Sequence, residues 1–152
     1  MVHSGVFSGT GAASGAVYHF GVGEVNWTTG QTDLYCMLCS NTAPTQTWSH
    51  YSDVTNQLTA AGNYTLGGNV MAPSTVVIAS LVGQYGAAAT VFSASTFNAY
   101  YAIVQHITTA TTATNALLSY HDLGGSQPVS NGTLTLNWGA AGVFTNTVAT
   151  DA

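Results

Sequence analysis

No lysine or arginine occurs anywhere in this chain, and charged residues make up 3 % of it, against about 25 % in an ordinary soluble domain. The five acids are Glu24, Asp33, Asp53, Asp122 and Asp151, for a formal net charge of −5. A folded form must therefore build its surface from Thr, Ser, Asn, Gln and Gly. Such a surface is wettable but offers little repulsion between copies, and low net charge favours association. The same fact excludes several functions. Nucleic-acid binding relies on Lys and Arg to replace phosphate counterions. Anionic lipid surfaces recruit the same side chains, and phosphate-handling enzymes need a cationic clamp. The expectation is a chain that binds neither nucleic acid nor membrane.

Disorder is the other outcome for an unusual composition, but it comes with few aromatics and low hydrophobicity. Here aromatics are 11 % of the chain, hydrophobic residues 46 % and the mean hydropathy +0.24, so a packed core is expected. The 152 residues suit one domain. A chain of this size buries roughly two-thirds of the surface its unfolded form exposes. No apolar run approaches the roughly 18 residues of a membrane span. Met1 to Gly15 is rich in Gly, Ser and Ala. It lacks a basic start and an apolar h-region, so it is read as a flexible arm and not as a signal peptide.

Ala12 to Phe20 allows one short helix, and Thr28 to Gln31 reads as a turn. Leu34 to Ser40 is a short strand, apolar on both faces, which implies burial on both. Asn41 to Gln46 is a loop around Pro44. Ser49 to Leu58 allows a helical turn capped by Ser49, with Val54 and Leu58 on one side. Beyond Ala61 the pattern is β. Strands are expected at Thr75 to Val82 and at Gly86 to Ser93. In a third, Phe97 to Ile107, Tyr101, Ile103 and Gln105 face one way and Tyr100, Ala102, Val104 and His106 the other. Thr108 to Thr114 is a loop and Ala116 to Leu123 a strand. Gly124 to Gly132, with Pro128, reads as a loop. In Thr133 to Trp138, Leu134, Leu136 and Trp138 alternate inward. Gly139 to Gly142 is a turn, and Val143 to Ala152 a tail or edge arm. The strand spacing predicts a mainly β fold: an antiparallel β-sandwich or barrel with one or two short helices. The expected division is an arm over residues 1–15, a β domain over 16–144 and a tail over 145–152.

Several landmarks recur in a fixed order. Asp33-Leu34-Tyr35-Cys36-Met37-Leu38-Cys39 precedes a Pro-containing loop and Trp48 to Thr55, and Gly62-Asn63-Tyr64-Thr65-Leu66-Gly67-Gly68 follows. Tyr100 to Val104 and Leu117 to Gly124 come next. Gly132-Thr133-Leu134-Thr135-Leu136-Asn137-Trp138 and Ala141-Gly142-Val143 close the series. In this order, over about residues 16–144, the chain resembles a group of small structural proteins of tailed bacteriophage virions. That resemblance implies a virion location, as a head decoration (cement) subunit or a minor tail component. It implies a role among other polypeptides and assigns no functional residue.

The residues that could carry chemistry have ordinary explanations. Cys36 and Cys39 form a single Cys-x-x-Cys, without the second pair that a zinc site of this type needs. Three apart on a strand, they point to opposite faces and read as two buried apolar residues. His3, His19, His50, His106 and His121 are scattered. His106 and His121 fall on neighbouring strand candidates, and imidazole with a Cys36 or Cys39 thiolate suits zinc. Lone histidines are ordinarily packed or solvated, so no metal ligand is assigned. Ser49-His50-Tyr51-Ser52-Asp53 holds the residue types of a hydrolase triad, but triads are assembled from separate segments, and local capping explains the run. Trp48 is the better candidate for an exposed aromatic contact, and Trp138 is expected inside.

No catalytic residue, cofactor or metal is expected, and the chain is not read as an enzyme. The expected partners are a major capsid protein or other virion subunits and further copies of the chain, in a virion assembled in the host cytoplasm and released. The rival expectations are a minor tail, tail-tip or fibre protein and a carbohydrate-binding adhesin module.

Overall fold

The computed structural model describes residues 3–6, 27, 32–79, 82–107, 115–140 and 142–147. The expected helix at Ala12 to Phe20, the turn at Thr28 to Gln31 and the loop at Thr108 to Thr114 lie outside the described residues. The fold is mainly β. The strands are β1 (His3–Val6), β2 (Leu34–Cys39), β3 (Asn69–Val70), β4 (Pro73–Ala79), β5 (Val82–Ala87), β6 (Thr90–His106), β7 (Ala116–Leu136) and β8 (Phe144–Thr147). They form two antiparallel sheets, one of five strands in the order β1-β7-β6-β2-β3 and one of three in the order β4-β5-β8. This is sandwich-like and not a closed barrel. The one helical element among the described residues is a 3₁₀ turn at Tyr51–Asp53.

The ladder of β6 on β7 organises the molecule, running from His106↔Ala116 to Thr90↔Leu136. At its open end both strands leave the sheet together. β5 precedes β6 and β8 follows β7, and these two pair with each other, Tyr85 opposite Phe144. The second sheet is thus a continuation of the same two-stranded ribbon around a corner. Trp138 sits at that corner, buried, and its indole Nε1 donates to Thr90 Oγ1 at 3.1 Å. Trp27 donates from Nε1 to the Gly86 carbonyl at 2.8 Å and meets Tyr85 and Phe144 edge-on, while those two rings stack at 4.5 Å.

Strand alternation divides the apolar residues of the five-stranded sheet between two clusters. Leu34, Cys36 and Leu38 of β2 point into the larger one, with Ala102 and Val104 of β6, Phe92, Met71 and the corner residues Trp138 and Phe144. Met37 and Cys39 point the other way, to Ile103, Leu117 and Tyr120. That second face is covered by the chain between β2 and β3, through Trp48, Tyr51 and Val54. Both faces of β2 are therefore closed, as its run of apolar residues predicted. Each fully buried Leu, Ile, Met or Phe here contributes about 1.5–3 kcal/mol through removal of apolar surface from water.

The strand limits differ from the sequence expectation in several places, and within the expected flexible arm of residues 1–15, His3–Val6 is strand, paired along β7. Thr75 to Val82 is not one strand: β4 ends at Ala79 and β5 begins at Val82. Gly86 to Ser93 is split at Ala88-Ala89, after which β6 runs unbroken from Thr90. Gly124 to Gly132, expected as a loop, is strand: β7 extends to Leu136. Its turn-like residues make bulges instead of a reversal. The register jumps between Ala99↔Gln127 and Tyr101↔Asp122, where Gly124 and Gly125 take φ of +83° and +107°. Such bulges insert extra residues into one strand without ending its pairing. Pro128 is tolerated because β1 pairs only with Ser119–Asp122, leaving that stretch of β7 without an outer neighbour among the described residues.

Two glycines allow the covering chain to approach the sheet. A Cβ on Gly68, whose φ is +97°, would stand 2.2 Å from the Cys36 carbonyl oxygen. One on Gly62, at φ +61°, would stand 1.8 Å from that of Ala94. Between them Tyr64 is driven into the core at 1 % exposure. Its ring meets Phe92 and Phe97 edge-on at 5.8 and 5.9 Å.

Candidate functional site

The polar side chains that the sequence offers for chemistry are used to hold the fold. In the Ser49–Asp53 run, Asp53 Oδ2 accepts the backbone N–H of Ser49 at 2.8 Å and of His50 at 3.0 Å. These two bonds hold the Asp53 carboxyl below its ordinary range. Ser49 Oγ lies 2.8 Å from His50 Nδ1 and 3.4 Å from Asp53 Oδ2. In a triad the carboxylate and the hydroxyl engage opposite nitrogens of one imidazole. Here the carboxylate binds backbone at the start of a turn. Of the two capping residues expected from the sequence, Ser49 and Asp53, it is Asp53 whose side chain accepts the backbone N–H groups. Val54 and Leu58 also part company, Val54 going to the smaller cluster and Leu58 to the larger.

Cys36 and Cys39 are free thiols, both buried, in different clusters. Burial pushes both up, Cys39 to about 12, so neither is a thiolate near neutral pH. His106 and His121 are on adjacent strands but not side by side. His121 stands opposite Ala102 and His106 opposite Ala116, a separation of about 13 Å along the ladder. His106 Nε2 lies 2.9 Å from Asp33 Oδ2, tying the end of β6 to the residue that leads into β2. His121 Nε2 lies 3.1 Å from Ser119 Oγ, and its ring meets Trp138 edge-on at 5.1 Å. Burial lowers the His121 pKa to about 4, so the ring is neutral near pH 7. Among the described residues no group of three or more His, Cys, Asp or Glu is arranged to hold a metal.

A polar relay running from the half-buried Tyr51 and Gln57 to the buried Tyr64 is not visible in the sequence. Tyr51 Oη donates to Gln57 Oε1 at 2.6 Å, and Gln57 Nε2 donates to Tyr64 Oη at 3.1 Å. Tyr64 Oη in turn donates to the Leu38 carbonyl at 3.2 Å and accepts the Leu38 N–H at 3.1 Å. Burial raises the Tyr64 phenol to about 12. The relay satisfies the backbone of β2 with side chains from the covering chain. No local spacing announces it, because its members meet only through the tertiary fold.

Trp48, in the sequence the better candidate for an exposed aromatic contact, is only partly exposed. It is half-buried against Met37, Cys39, Ile103, Leu117 and Tyr120. Trp138 is inside, as its alternation with Leu134 and Leu136 predicted. A shallow cleft of about 190 Å³ at the corner is lined by Ser74, Val77, Gln84, Gly86, Trp138 and Gly142, among others.

The surface feature that stands out is the three-stranded sheet. Its central strand, β5, is half-exposed at every position. On β4, Val76 and Val77 are 38 % and 49 % exposed, and consecutive strand residues point to opposite faces. Leu66, Val70 and Val91 add further exposed apolar side chains. From Val54 to His121 the chain carries no Lys, Arg, Asp or Glu, so β3 to β6 and the start of β7 present an uncharged surface. A signal for this lay in the sequence: Ser74-Thr75-Val76-Val77-Ile78-Ala79 is β-prone and uncharged. Only the sheet order shows that it lies beside β5, last in the three-stranded sheet among the described residues. Among the described residues no helix is long and apolar enough to cross a membrane. Comparison with protein-family models, with curated proteins and with solved structures finds no match.

Proposed function

We propose that this chain is a bacteriophage virion structural protein, a decoration (cement) subunit that stabilises the capsid by contact between polypeptides. The observation that carries this reading is the uncharged surface of β3 to β6, with Val70, Val76, Val77 and Val91 exposed on it. A surface without cations has no grip on nucleic acid or anionic lipid. An uncharged strand with exposed valines is suited to apolar and backbone contact with another protein. The ordered resemblance to small virion proteins supports the same reading. So does the use of Asp53, Tyr64 and both cysteines in holding the fold. Binding only to the assembled shell would stabilise that shell by mass action, with no reaction involved.

The test is to locate the chain in purified particles by electron microscopy with a specific antibody, and to count copies by quantitative mass spectrometry. Decoration predicts label over the head and copies on the order of hundreds per particle, as mass-action coverage of a shell requires. Label at the tail in a handful of copies would transfer the role to a minor tail component. Particles without the chain, or a purified chain that turns over a small molecule, would remove the virion reading.

A further inference from the structure

We infer that Asn131 is a site of spontaneous self-modification, at which the backbone nitrogen of Gly132 attacks the Asn131 carboxamide, expels ammonia and leaves an aspartate or isoaspartate behind. This inference concerns the chemistry of the chain itself and does not rest on the virion reading.

Several asparagine carboxamides are occupied in holding the fold. Asn56 Nδ2 donates to the Thr42 carbonyl, Asn63 Nδ2 to Ser93 Oγ at 3.0 Å and Asn69 Nδ2 to the Val91 carbonyl at 3.4 Å. Asn98 Oδ1 accepts the Ser126 hydroxyl at 2.8 Å. Asn131 differs. Its backbone N–H donates to Thr96 Oγ1 at 2.9 Å, while the exposed side chain makes no hydrogen bond among the described residues. It is also the one asparagine in the chain that a glycine follows. Ring closure brings the next residue's nitrogen onto the side-chain carbon, and a following side chain crowds that approach where glycine does not. The backbone itself does not require this glycine. The positive φ, +46°, falls on Asn131, a residue type that tolerates it. Gly132 lies outside the left-handed region, and a Cβ there would meet only Val129 Cγ1 at 3.3 Å and the Ser130 carbonyl oxygen at 3.6 Å.

The ribbon leaves this position free to react. Gly132 stands opposite Ser95, and the register is irregular on both sides of that pair, between Phe92 and Ser95 and between Ser95 and Phe97. A pair isolated by bulges opens at lower free energy than the continuous ladder from Tyr101 to Val104. β1 pairs only with Ser119–Asp122, so among the described residues no outer strand clamps Gly132. Hydroxide takes the Gly132 amide proton, and the nitrogen forms a bond to Asn131 Cγ. The Cγ–Nδ2 bond breaks, and Nδ2 leaves as ammonia with a proton from water. A second water opens the resulting succinimide. Cleavage at Cγ gives aspartate, and cleavage at the backbone carbonyl gives isoaspartate. Nothing is oxidised or reduced. Either product adds a carboxylate to a chain that has five acids, and isoaspartate also lengthens the main chain by a methylene within the β6–β7 ribbon.

The test is to incubate the full folded chain in mildly alkaline buffer and to follow amide-to-acid conversion by mass spectrometry of chymotryptic peptides. An isoaspartyl methyltransferase with labelled methyl donor reports the isoaspartate. Asn115 is the internal control, since it shares a positive φ, +55°, but precedes Ala116. Conversion at Asn131 should be at least about tenfold faster than at Asn115, and G132A should slow it at least about tenfold. Circular dichroism verifies that G132A keeps the β fold. A parallel sample held unfolded in urea measures what the fold withholds, and the folded chain should react within about tenfold of it. A folded chain slower than that would overturn the inference, because the ribbon would then protect the site. Equal rates at Asn131 and Asn115, or an unchanged rate in G132A, would overturn it as well.

Discussion

In the five-stranded sheet, β2 buries Leu34, Cys36 and Leu38 on one face and Met37 and Cys39 on the other. In the three-stranded sheet, the central strand β5 is half-exposed from Val82 to Ala87. Yet both sheets are built around the same ribbon, β6 with β7 and then β5 with β8. What differs is the cover. The first sheet has the second packed against one face and the Trp48–Val54 segment over the other. The comparison teaches that burial is distributed unevenly along one ribbon. A substitution at a buried position of the first sheet should register as unfolding, and one at an exposed valine of the second should leave stability nearly unchanged.

The largest effect is expected at Phe92, which the Tyr64 and Phe97 rings enclose. F92A should cost about 3–5 kcal/mol, the range for truncating a buried aromatic, measured by urea denaturation. V77A in the second sheet should change stability by less than about 0.5 kcal/mol. Equal losses at both sites would erase the distinction between the sheets.

Acid should act through the first sheet as well. Burial holds His121 at about 4 when folded, against 6.5 for the free side chain. The unfolded chain therefore takes up this proton first as pH falls. The His121 contribution is intact above about pH 6.5 and is lost on acidification towards pH 4. The difference corresponds to ~3 kcal/mol at most. Denaturation midpoints between pH 7 and pH 4 test this, and H121Q should flatten that part of the profile. An unchanged slope in H121Q would assign the acid sensitivity elsewhere.

Backbone approach provides a third contrast. Gly68 lies against the Cys36 carbonyl with φ +97°, whereas nothing lies within 4 Å of a Cβ on Gly139. G68A should lose about 1–3 kcal/mol through strain, and G139A should stay within about 0.5 kcal/mol of the parent chain. A smaller loss, of about 1 kcal/mol, is expected for D53A, which removes the carboxylate that caps the turn at Ser49 and His50. Thermal denaturation resolves both.

Much of the first sheet was legible beforehand. Leu34 to Ser40 reads as a strand buried on both faces because it is apolar at successive positions, and β2 ends one residue earlier, at Cys39. The alternation in Phe97 to Ile107 separates Ala102 and Val104 from Tyr101 and Ile103, as found in the two clusters. The opposite orientations of Cys36 and Cys39 follow from strand geometry. The region Gly124 to Gly132 was not legible. Gly-Gly, Pro and Asn-Gly serve equally for a chain reversal and for bulges in a strand that continues, and the choice rests on β6 lying alongside. The burial of Trp48 and the Tyr51–Gln57–Tyr64 relay were hidden for the same reason, since each depends on residues distant in the chain.

The sequence was sufficient for a mainly β fold, for the inward side of most strands and for a surface without cations. Those properties follow from composition and from the two-residue period of an extended chain. Which faces are covered, which strands lie beside one another and what the Asp53 carboxylate holds depended on the folded arrangement. Burial and pairing are properties of neighbours in space, and a single strand carries no information about what will lie beside it.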